Sequence, residues 1–277
     1  MTLESDIRDL QHRYETDEID ADSAGADALD TLDAFLASLE RGDVRAAEKR
    51  DDSWEAVPWV KRGILLNFAL RETEPRQYGD VTYHDVLGLR GTDDLLTKGT
   101  RNTPDGTVIR RGAYVGEDAI LMSPSFVNIG AYVGDGTLVD SADTIGSAAQ
   151  IGDDVKLGAN TVIGGVLEPI EDAPVVVEEG VALGAGSRVT SGFVVGANSV
   201  VGENTLLTPR IPIYDLVEEE IVYGHLPPER RAFTRFVESR MGEHDLFEGG
   251  AYKPAVVATD LEATTLEGAQ REEVLRS

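Results

Sequence analysis

Four side chains near the middle of the chain stand where a six-residue repeat otherwise favours glycine. They are Arg110, Met122, Asn128 and Asp140, and they form two pairs whose members are 18 residues apart. Eighteen residues make three repeat units, so each pair would lie on adjacent coils of a solenoid. The loss of glycine on adjacent coils indicates a site, to which we assign Asp140 and in which we predict that Arg110 and Asn128 bind substrate. The alternative is a pair of turn residues, because Asn and Asp also tolerate left-handed backbone.

Acid–base chemistry in this segment must come from carboxylates. No histidine lies between residues 108 and 208, and we expect His225 in "VYGHLPP" to be a surface or turn residue. This composition argues against a histidine-based acyltransferase and against the three-histidine zinc site of a trimeric carbonic anhydrase. The chain has no cysteine, which excludes disulfides, thiolate nucleophiles and Cys-ligated metals. We therefore expect no metal cofactor.

The repeat that positions these side chains has an aliphatic residue at every sixth position. The series runs from Ile109 to Ile163 without a slip and resumes from Val177 to Leu207, and all sixteen positions are Ile, Leu or Val. The residue directly after the aliphatic one is most often Gly, and the fourth residue after the aliphatic one is usually Ala, Ser or Thr. Such hexads predict a parallel β-helix of about five triangular coils, with aliphatic residues in the core. We expect the glycine to relieve the turn at each corner.

The repeat divides the chain into three parts. Residues 1–105 predict a mixed domain with helices in "LESDIRDLQHRYE", "ADALDTLDAFLASLERG" and "WVKRGILLNFAL" and a hairpin around Asp51. Residues 106–208 predict the β-helix, interrupted by a loop at 164–176 that carries two prolines. Residues 209–277 predict strands, a loop in "ESRMGEHDLFEGGAYKP" around residue 245, and a terminal helix in "LEATTLEGAQREEVLRS".

Charge is the most unusual bulk property of the chain. Its 51 acidic residues outnumber 25 basic ones, for a net charge of −26, and only five of the basic residues are lysine. An acidic, lysine-poor surface stays hydrated in concentrated salt, where self-repulsion is screened, which favours a halophilic cytoplasm over an ordinary acidic protein. The same surface argues against nucleic acid and anionic membranes as partners. The N-terminus has no signal-peptide pattern, so we expect a cytoplasmic protein.

Several stretches resemble one family, the tetrahydrodipicolinate N-succinyltransferases. They include "RAAEKRDDSWEAVPWVKRGILLNF", "MSPSFVNIGAYVGDGTLVDS", "GGVLEPIEDAPVVVEE" and "RIPIYD", and the matches extend from about residue 44 to the C-terminal "EEVLR". The resemblance implies a left-handed β-helix with an N-terminal α/β domain and a short C-terminal extension. It also implies an enzyme of lysine and diaminopimelate synthesis that takes succinyl from succinyl-CoA, as a homotrimer with acyl-CoA in the groove between neighbouring prisms.

The resemblance also assigns roles to individual residues. Asp140 in "LVDS" matches the family's catalytic aspartate, and Arg101 in "KGTRNTP" matches an arginine that binds a carboxylate of the dicarboxylic substrate. These residue types suit the chemistry. A thioester must be attacked by a neutral amine, whose proton a carboxylate can accept, and guanidinium can bind a carboxylate with two parallel hydrogen bonds.

The sequence departs from the family in a segment that carries a second catalytic carboxylate. Where the family has a segment like "GARSEVVEG", this chain has "GAGSRVTSG", so Arg188 stands at the glutamate position. Separately, Asp143 occupies a corner position that elsewhere in the repeat holds Ala, Ser or Thr. A carboxylate there is costly unless it is paired or lies at a subunit interface. One hypothesis is that Asp143 and Arg188 compensate each other across coils or between subunits; another is that Asp143 replaces the missing acid.

Three functions stay open from the sequence. The leading one is the succinyltransferase that the resemblance implies. In the second, the site acylates a different amine or uses a different acyl-CoA, with Arg188 binding an extra anionic group. In the third, the trimer is non-catalytic and acts as a regulatory or structural partner. The sequence does not distinguish a succinyl from an acetyl donor.

Overall fold

The computed structural model describes residues 2–51, 53–104, 106–167, 173–247 and 250–262. The predicted C-terminal helix lies almost wholly outside these residues. The helices are α1 (Leu3–Glu15), α2 (Ala26–Glu40), α3 (Pro58–Ala69) and α4 (Asp93–Thr97), with a short 3-10 turn at Arg240–Glu243. None of the described helices is long and apolar enough to cross a membrane.

The strands fall into hairpins near the N-terminus, two-residue strands in the repeat, and longer strands near the C-terminus. They are β1 (Ala47–Arg50), β2 (Ser53–Ala56), β3 (Glu74–Tyr78), β4 (Val81–Asp85), β5 (Arg101–Asn102), β6 (Val108–Ile109), β7 (Tyr114–Val115), β8 (Ile120–Leu121), β9 (Phe126–Val127), β10 (Tyr132–Val133), β11 (Leu138–Val139), β12 (Thr144–Ile145), β13 (Gln150–Ile151), β14 (Lys156–Leu157), β15 (Val162–Ile163), β16 (Val176–Val177), β17 (Ala182–Leu183), β18 (Arg188–Val189), β19 (Val194–Val195), β20 (Val200–Val201), β21 (Leu206–Leu207), β22 (Ile213–Asp215), β23 (Glu220–Val222), β24 (His225–Leu226), β25 (Arg230–Ser239) and β26 (Ala251–Asp260).

The repeat forms a three-sided prism, because each hexad supplies one short strand that ends on its aliphatic residue. Face I contains β6, β9, β12, β15, β18 and β21; face II contains β7, β10, β13, β16, β19 and β24; face III contains β5, β8, β11, β14, β17, β20 and β25. Strands on one face pair in parallel, with residues 18 apart in the unbroken run, as Leu138 pairs with Ile120, and 26 apart across the extruded loop, as Arg188 pairs with Val162. The aliphatic residues of the repeat are at most 3% exposed. The fold is the predicted left-handed parallel β-helix.

The structure corrects the explanation given for the glycine after each aliphatic residue. Left-handed backbone occurs three residues after the aliphatic residue, not one, as at Gly130 (φ 72°), Ala142 (φ 63°) and Asn160 (φ 62°). The glycine at the first position is needed because the next coil approaches closely: a Cβ on Gly146 would lie 2.2 Å from the Gly165 nitrogen. The backbone of Asp140 is not left-handed either. Tolerance of a left-handed turn therefore does not explain why an aspartate stands at this position in place of glycine.

The N-terminal domain begins with three helices that pack together and then covers face II. Thr2 caps α1 in a reciprocal capping box with Ser5. Gly63 of α3 leaves room for the Phe35 ring, which a Cβ would approach to 2.6 Å. The predicted hairpin, β1–β2, then lies against the prism.

Glu178 anchors that hairpin to face II. Its carboxylate accepts hydrogen bonds from Lys49 Nζ (2.7 Å), Trp54 Nε1 (2.8 Å) and the Ala197 backbone N–H (3.0 Å). Burial alone would raise the pKa of Glu178, but these donors together lower it below its ordinary value. Beside it, the Arg45 guanidinium lies 3.7 Å from the centroid of the Tyr132 ring.

The C-terminal extension returns to face III as a long hairpin. Strand β25 pairs with β20 only through Arg231 and Ala232, whereas it pairs with β26 over all ten residues. The hairpin therefore extends well past the corner where face III meets face I. The stretch predicted as loop around residue 245 is correspondingly shorter than expected, because both strands reach further into it.

Candidate active site

The groove on face III is the cavity that contains the predicted catalytic carboxylate. It has a volume of about 760 Å³, with Asp140 at its lower end, Lys156 above it, and Arg231 and Arg235 at its upper end. The residues lie on successive coils that stack at about 4.8 Å, so the groove is roughly 19 Å long. An elongated ligand with negative charge at one end fits such a groove.

A slightly larger cavity, of about 810 Å³, lies elsewhere, between the β3–β4 hairpin and the base of the prism. Its lining is mostly apolar, and its two charged residues, Asp85 and Arg110, form an ion pair with each other. Because the groove on face III contains the predicted base, Asp140, and this cavity does not, we place the candidate site in the groove despite its smaller volume.

Asp140 occupies the corner between faces III and I. Its Oδ1 accepts the Ser141 backbone N–H at 2.7 Å, which fixes the first part of the side chain in a local turn. The residue is only partly buried and lines the groove. Its carboxylate can therefore reach a bound ligand.

Asp143 lies in the same corner but points inward. It is 1% exposed. Its Oδ2 accepts the Asp140 N–H at 2.8 Å, and its Oδ1 accepts the Thr161 N–H of the next coil at 2.7 Å. Burial raises the pKa of Asp143 to about 8, the two N–H donors oppose that increase, and the nearby Asp140 carboxylate adds to it.

Arg101 lies on the same face as the groove, below Asp140. It belongs to β5, which pairs with β8, and β8 pairs with β11 just before Asp140. Arg101 is exposed, and two coil spacings separate it from the level of Asp140, about 10 Å along the axis. The structure thus places the predicted carboxylate-binding arginine and the predicted base on one face.

Arg110 and Asn128 are in contact with each other but not with Asp140. Arg110 Nη1 donates to Asn128 Oδ1 at 3.2 Å, as expected for residues 18 apart. Both lie at the corner between faces I and II, where Arg110 also forms an ion pair with Asp85 and stacks over the Phe68 ring at 5.4 Å. They line a cavity of about 410 Å³ beside the start of the extruded loop. Face I therefore separates this pair from Asp140 within one chain.

Arg188 lies on face I, just past the corner that holds Asp140. It is exposed, its neighbours on the face are Val162 and Leu206, and its Nη1 donates to the Gly186 carbonyl oxygen at 3.1 Å. No ion pair joins Arg188 to Asp143 among the residues that the structure describes. The proposed compensation within one chain is wrong, because Asp143 is satisfied by backbone N–H groups instead.

Sequence reasoning did not single out the three cations of the groove. Lys156 has the clearest sequence signal: it is one of only five lysines, and it immediately precedes an aliphatic residue of the repeat, which directs it outward. Arg231 and Arg235 carry no such signal, because they reach the groove only through the pairing of β25 with β20. Arg235 is exposed and stacks on Phe233, 4.2 Å from the ring centroid.

Comparison with known proteins identifies relatives along most of the chain. Residues 2–70 match the family model "Tetrahydrodipicolinate N-succinyltransferase N-terminal". A 2,3,4,5-tetrahydropyridine-2,6-dicarboxylate N-succinyltransferase of Dechloromonas aromatica is 34% identical over 88% of this chain and 89% of its own length. One from Ralstonia pickettii is 38% identical over 92% of this chain and 91% of its own.

A solved structure from Campylobacter jejuni, assigned as a 2,3,4,5-tetrahydropyridine-2-carboxylate N-succinyltransferase, gives a TM-score of 0.39 at 16% identity. It covers 86% of this chain and 64% of that chain. The two sequence relatives and the family model show the family of this chain.

Proposed function

The chain belongs to the tetrahydrodipicolinate N-succinyltransferase family, and we propose that it transfers succinyl from succinyl-CoA to tetrahydrodipicolinate. The observation that carries this proposal is the groove on face III, which combines a reachable carboxylate at one end with cations at the other. The reaction would serve lysine and diaminopimelate synthesis in the cytoplasm.

The acyl donor would lie along the groove. Arg231, Arg235 and Lys156 provide positive charge in a chain whose net charge is −26, and they suit the phosphates of acyl-CoA. The thioester would then lie toward the lower end, near Asp140. Arg101, exposed on the same face, would bind a carboxylate of the dicarboxylic acceptor through two parallel hydrogen bonds.

Asp140 would act as the base. The acceptor is a cyclic imine, so one water molecule first adds across its C=N bond and gives a nitrogen that carries a hydrogen. That nitrogen attacks the thioester carbonyl carbon, a C–N bond forms, and the C–S bond breaks as the CoA thiolate leaves. The proton lost from the nitrogen passes to the Asp140 carboxylate and can be returned to the thiolate. General base catalysis of this kind contributes about 10²- to 10⁴-fold to the rate.

Assembly as a homotrimer would complete the site. Face II is covered by the N-terminal domain, whereas face I carries the partly exposed Phe126 and Val162 and the exposed Leu206. Arg110 and Asn128 lie on the far side of face I from Asp140, so a neighbouring prism could bring such a pair next to the groove. We propose that these two residues contribute to substrate binding through that arrangement.

Arg188 supports a second candidate function, in which the enzyme acylates a different amine or uses a different acyl-CoA. An exposed guanidinium now stands near the groove where the family has a carboxylate, and it could bind an additional anionic group. Asp140 and the cationic groove favour an active enzyme over a non-catalytic trimer.

A thiol-release assay in molar salt tests the proposal. We expect turnover with succinyl-CoA and tetrahydrodipicolinate, and at least tenfold lower kcat/KM with acetyl-CoA. Equal or better turnover with acetyl-CoA would support the second candidate. No thiol release with either donor, from folded protein, would contradict the enzyme proposal.

A further inference from the structure

The backbone at Asp140 departs from the hydrogen-bonding pattern of the prism. The N–H that follows an aliphatic residue of the repeat generally donates to the aliphatic residue of the next coil, as Met122 does to Val139 O (2.8 Å) and Gly146 to Ile163 O (2.7 Å). The equivalent acceptor for Asp140 would be the carbonyl oxygen of Leu157. Asp140 instead donates its N–H to Oδ2 of Asp143 at 2.8 Å.

A side chain at this position does not by itself cause the departure. Met122 occupies the same corner one coil below, and Asn128 occupies the equivalent position at another corner. Both keep the inter-coil bond, at 2.8 Å and 3.0 Å. What distinguishes the Asp140 corner is therefore the carboxylate three residues later.

The same carboxylate connects this corner to the coil above. Oδ1 of Asp143 accepts the Thr161 N–H at 2.7 Å. Thr137 makes a comparable link at another corner, where its Oγ1 accepts the Val155 N–H at 3.1 Å. A hydroxyl is thus sufficient to connect the coils, whereas the carboxylate also holds the backbone of Asp140.

We propose that Asp143 is a positioning residue for the reaction, which holds the Asp140 backbone so that the Asp140 carboxylate faces the groove. The inference rests on the proposed function, because it assumes that Asp140 is the base. It goes beyond the spare-acid hypothesis, since the buried Asp143 carboxylate is occupied by two N–H donors and does not line the groove. A displacement of about 1 Å in a reacting group can cost on the order of 100-fold in rate.

The charges around Asp143 are few. The corners below and above it, residues 122–125 and 158–161, contain no ionisable side chain. Asp140 is the other ionisable group in the corner that contains Asp143. Lys156, on the coil above, lines the groove on the outer surface of the prism. Burial raises the pKa of Asp143 to about 8. Ionisation strengthens its two N–H bonds and adds a negative charge beside Asp140, so the positioning effect depends on pH in this range.

Two variants separate positioning from structural support. Asp143→Thr keeps a hydroxyl for the Thr161 N–H, by analogy with Thr137, but releases the Asp140 N–H. Asp143→Ala installs the small residue found in the same slot at Ala113, Ala131 and Ala149, and lets Asp140 donate to Leu157 O. We expect kcat to fall at least tenfold in both, with KM for succinyl-CoA within about twofold. We also expect the ratio of wild-type to variant kcat to change between pH 7 and pH 9.

Asp140→Asn, measured in the same assay, separates failure of the inference from failure of the proposed function. If Asp140→Asn is inactive while both Asp143 variants keep wild-type kcat and a pH-independent ratio, the positioning role is wrong and the proposed function stands. A loss of kcat that only follows the loss of folded trimer, at a constant ratio, also overturns it. If Asp140→Asn is fully active, the proposed catalytic role itself fails. Should Asp143→Ala not fold, Asp143→Thr alone decides between these outcomes.

Discussion

Burial of Asp143 predicts a pH dependence of stability that can be worked out from the structure. The pKa of Asp143 is about 8 in the folded chain, against an ordinary value of 3.8. Between these values the folded chain holds a proton that the unfolded chain has lost, so the free energy of unfolding falls as pH rises. Each pH unit in this window costs about 1.36 kcal/mol, which amounts to about 4 kcal/mol between pH 5 and pH 8.

Asp143→Ala removes that dependence. Relative to wild type, the variant should gain about 4 kcal/mol of unfolding free energy between pH 5 and pH 8, whatever the offset between the two proteins at pH 5. For a chain of 277 residues this corresponds to a relative rise in Tm of about 7 °C. Calorimetry of both proteins at pH 5, 6.5 and 8, in the same molar salt, measures the effect.

Asp135→Ala is the matched control. Asp135 also accepts a backbone N–H from an adjacent coil, that of Glu117 at 2.8 Å, but it is exposed. Its removal should change Tm by a similar amount at all three pH values. A difference between Asp143→Ala and wild type that stays constant from pH 5 to pH 8 would refute the burial argument.

Three further predictions concern other parts of the molecule. Glu178→Gln should destabilise the chain by about 1.5–3 kcal/mol at pH 7, because it weakens the charged hydrogen bonds to Lys49 and Trp54. Since the pKa of Glu178 is lowered, this contribution is present above about pH 4.5 and is lost at lower pH, so the variant and wild type should converge on acidification, as monitored by Tm. Arg188→Glu should raise kcat/KM with succinyl-CoA if the chain is a weakened succinyltransferase, whereas a loss of existing activity would show that Arg188 serves another reaction. The proposed homotrimer should dissociate or lose thermal stability when salt falls from molar to low concentration, because a net charge of −26 per chain repels itself. Light scattering that shows equally stable trimers at both salt concentrations would contradict the prediction of a halophilic protein.

Periodicity was sufficient to predict the prism, because one aliphatic residue in six fixes which side chains enter the core. The stacking of Arg110 under Asn128 follows from the same arithmetic and is seen as a hydrogen bond. The pairing of Arg110 with Asp85 does not follow, because it depends on how the β4 strand docks on the prism. Contacts between domains leave no periodic pattern in the sequence, so the repeat does not predict them.

The C-terminal hairpin was missed for a different reason. Strand β25 alternates only weakly, because nearly all of its side chains are partly or fully exposed, and Gly, Glu and Asp around residue 245 favour a loop. Arg231 and Arg235 therefore could not be assigned to the groove. The hydrogen bonds of Asp143 do not follow from the sequence either, because the sequence shows a costly carboxylate but not the two backbone N–H groups that donate to it.

Turnover of Asp140→Asn is the most direct test of the account. The substitution keeps the size of the side chain and its local turn but removes the base. We predict at least a 100-fold loss of kcat in the thiol-release assay with succinyl-CoA and tetrahydrodipicolinate, with Tm and trimer mass unchanged, while Asp135→Asn keeps wild-type kcat. Wild-type kcat in folded Asp140→Asn would contradict the claim that the face III groove is an active site with Asp140 as its base.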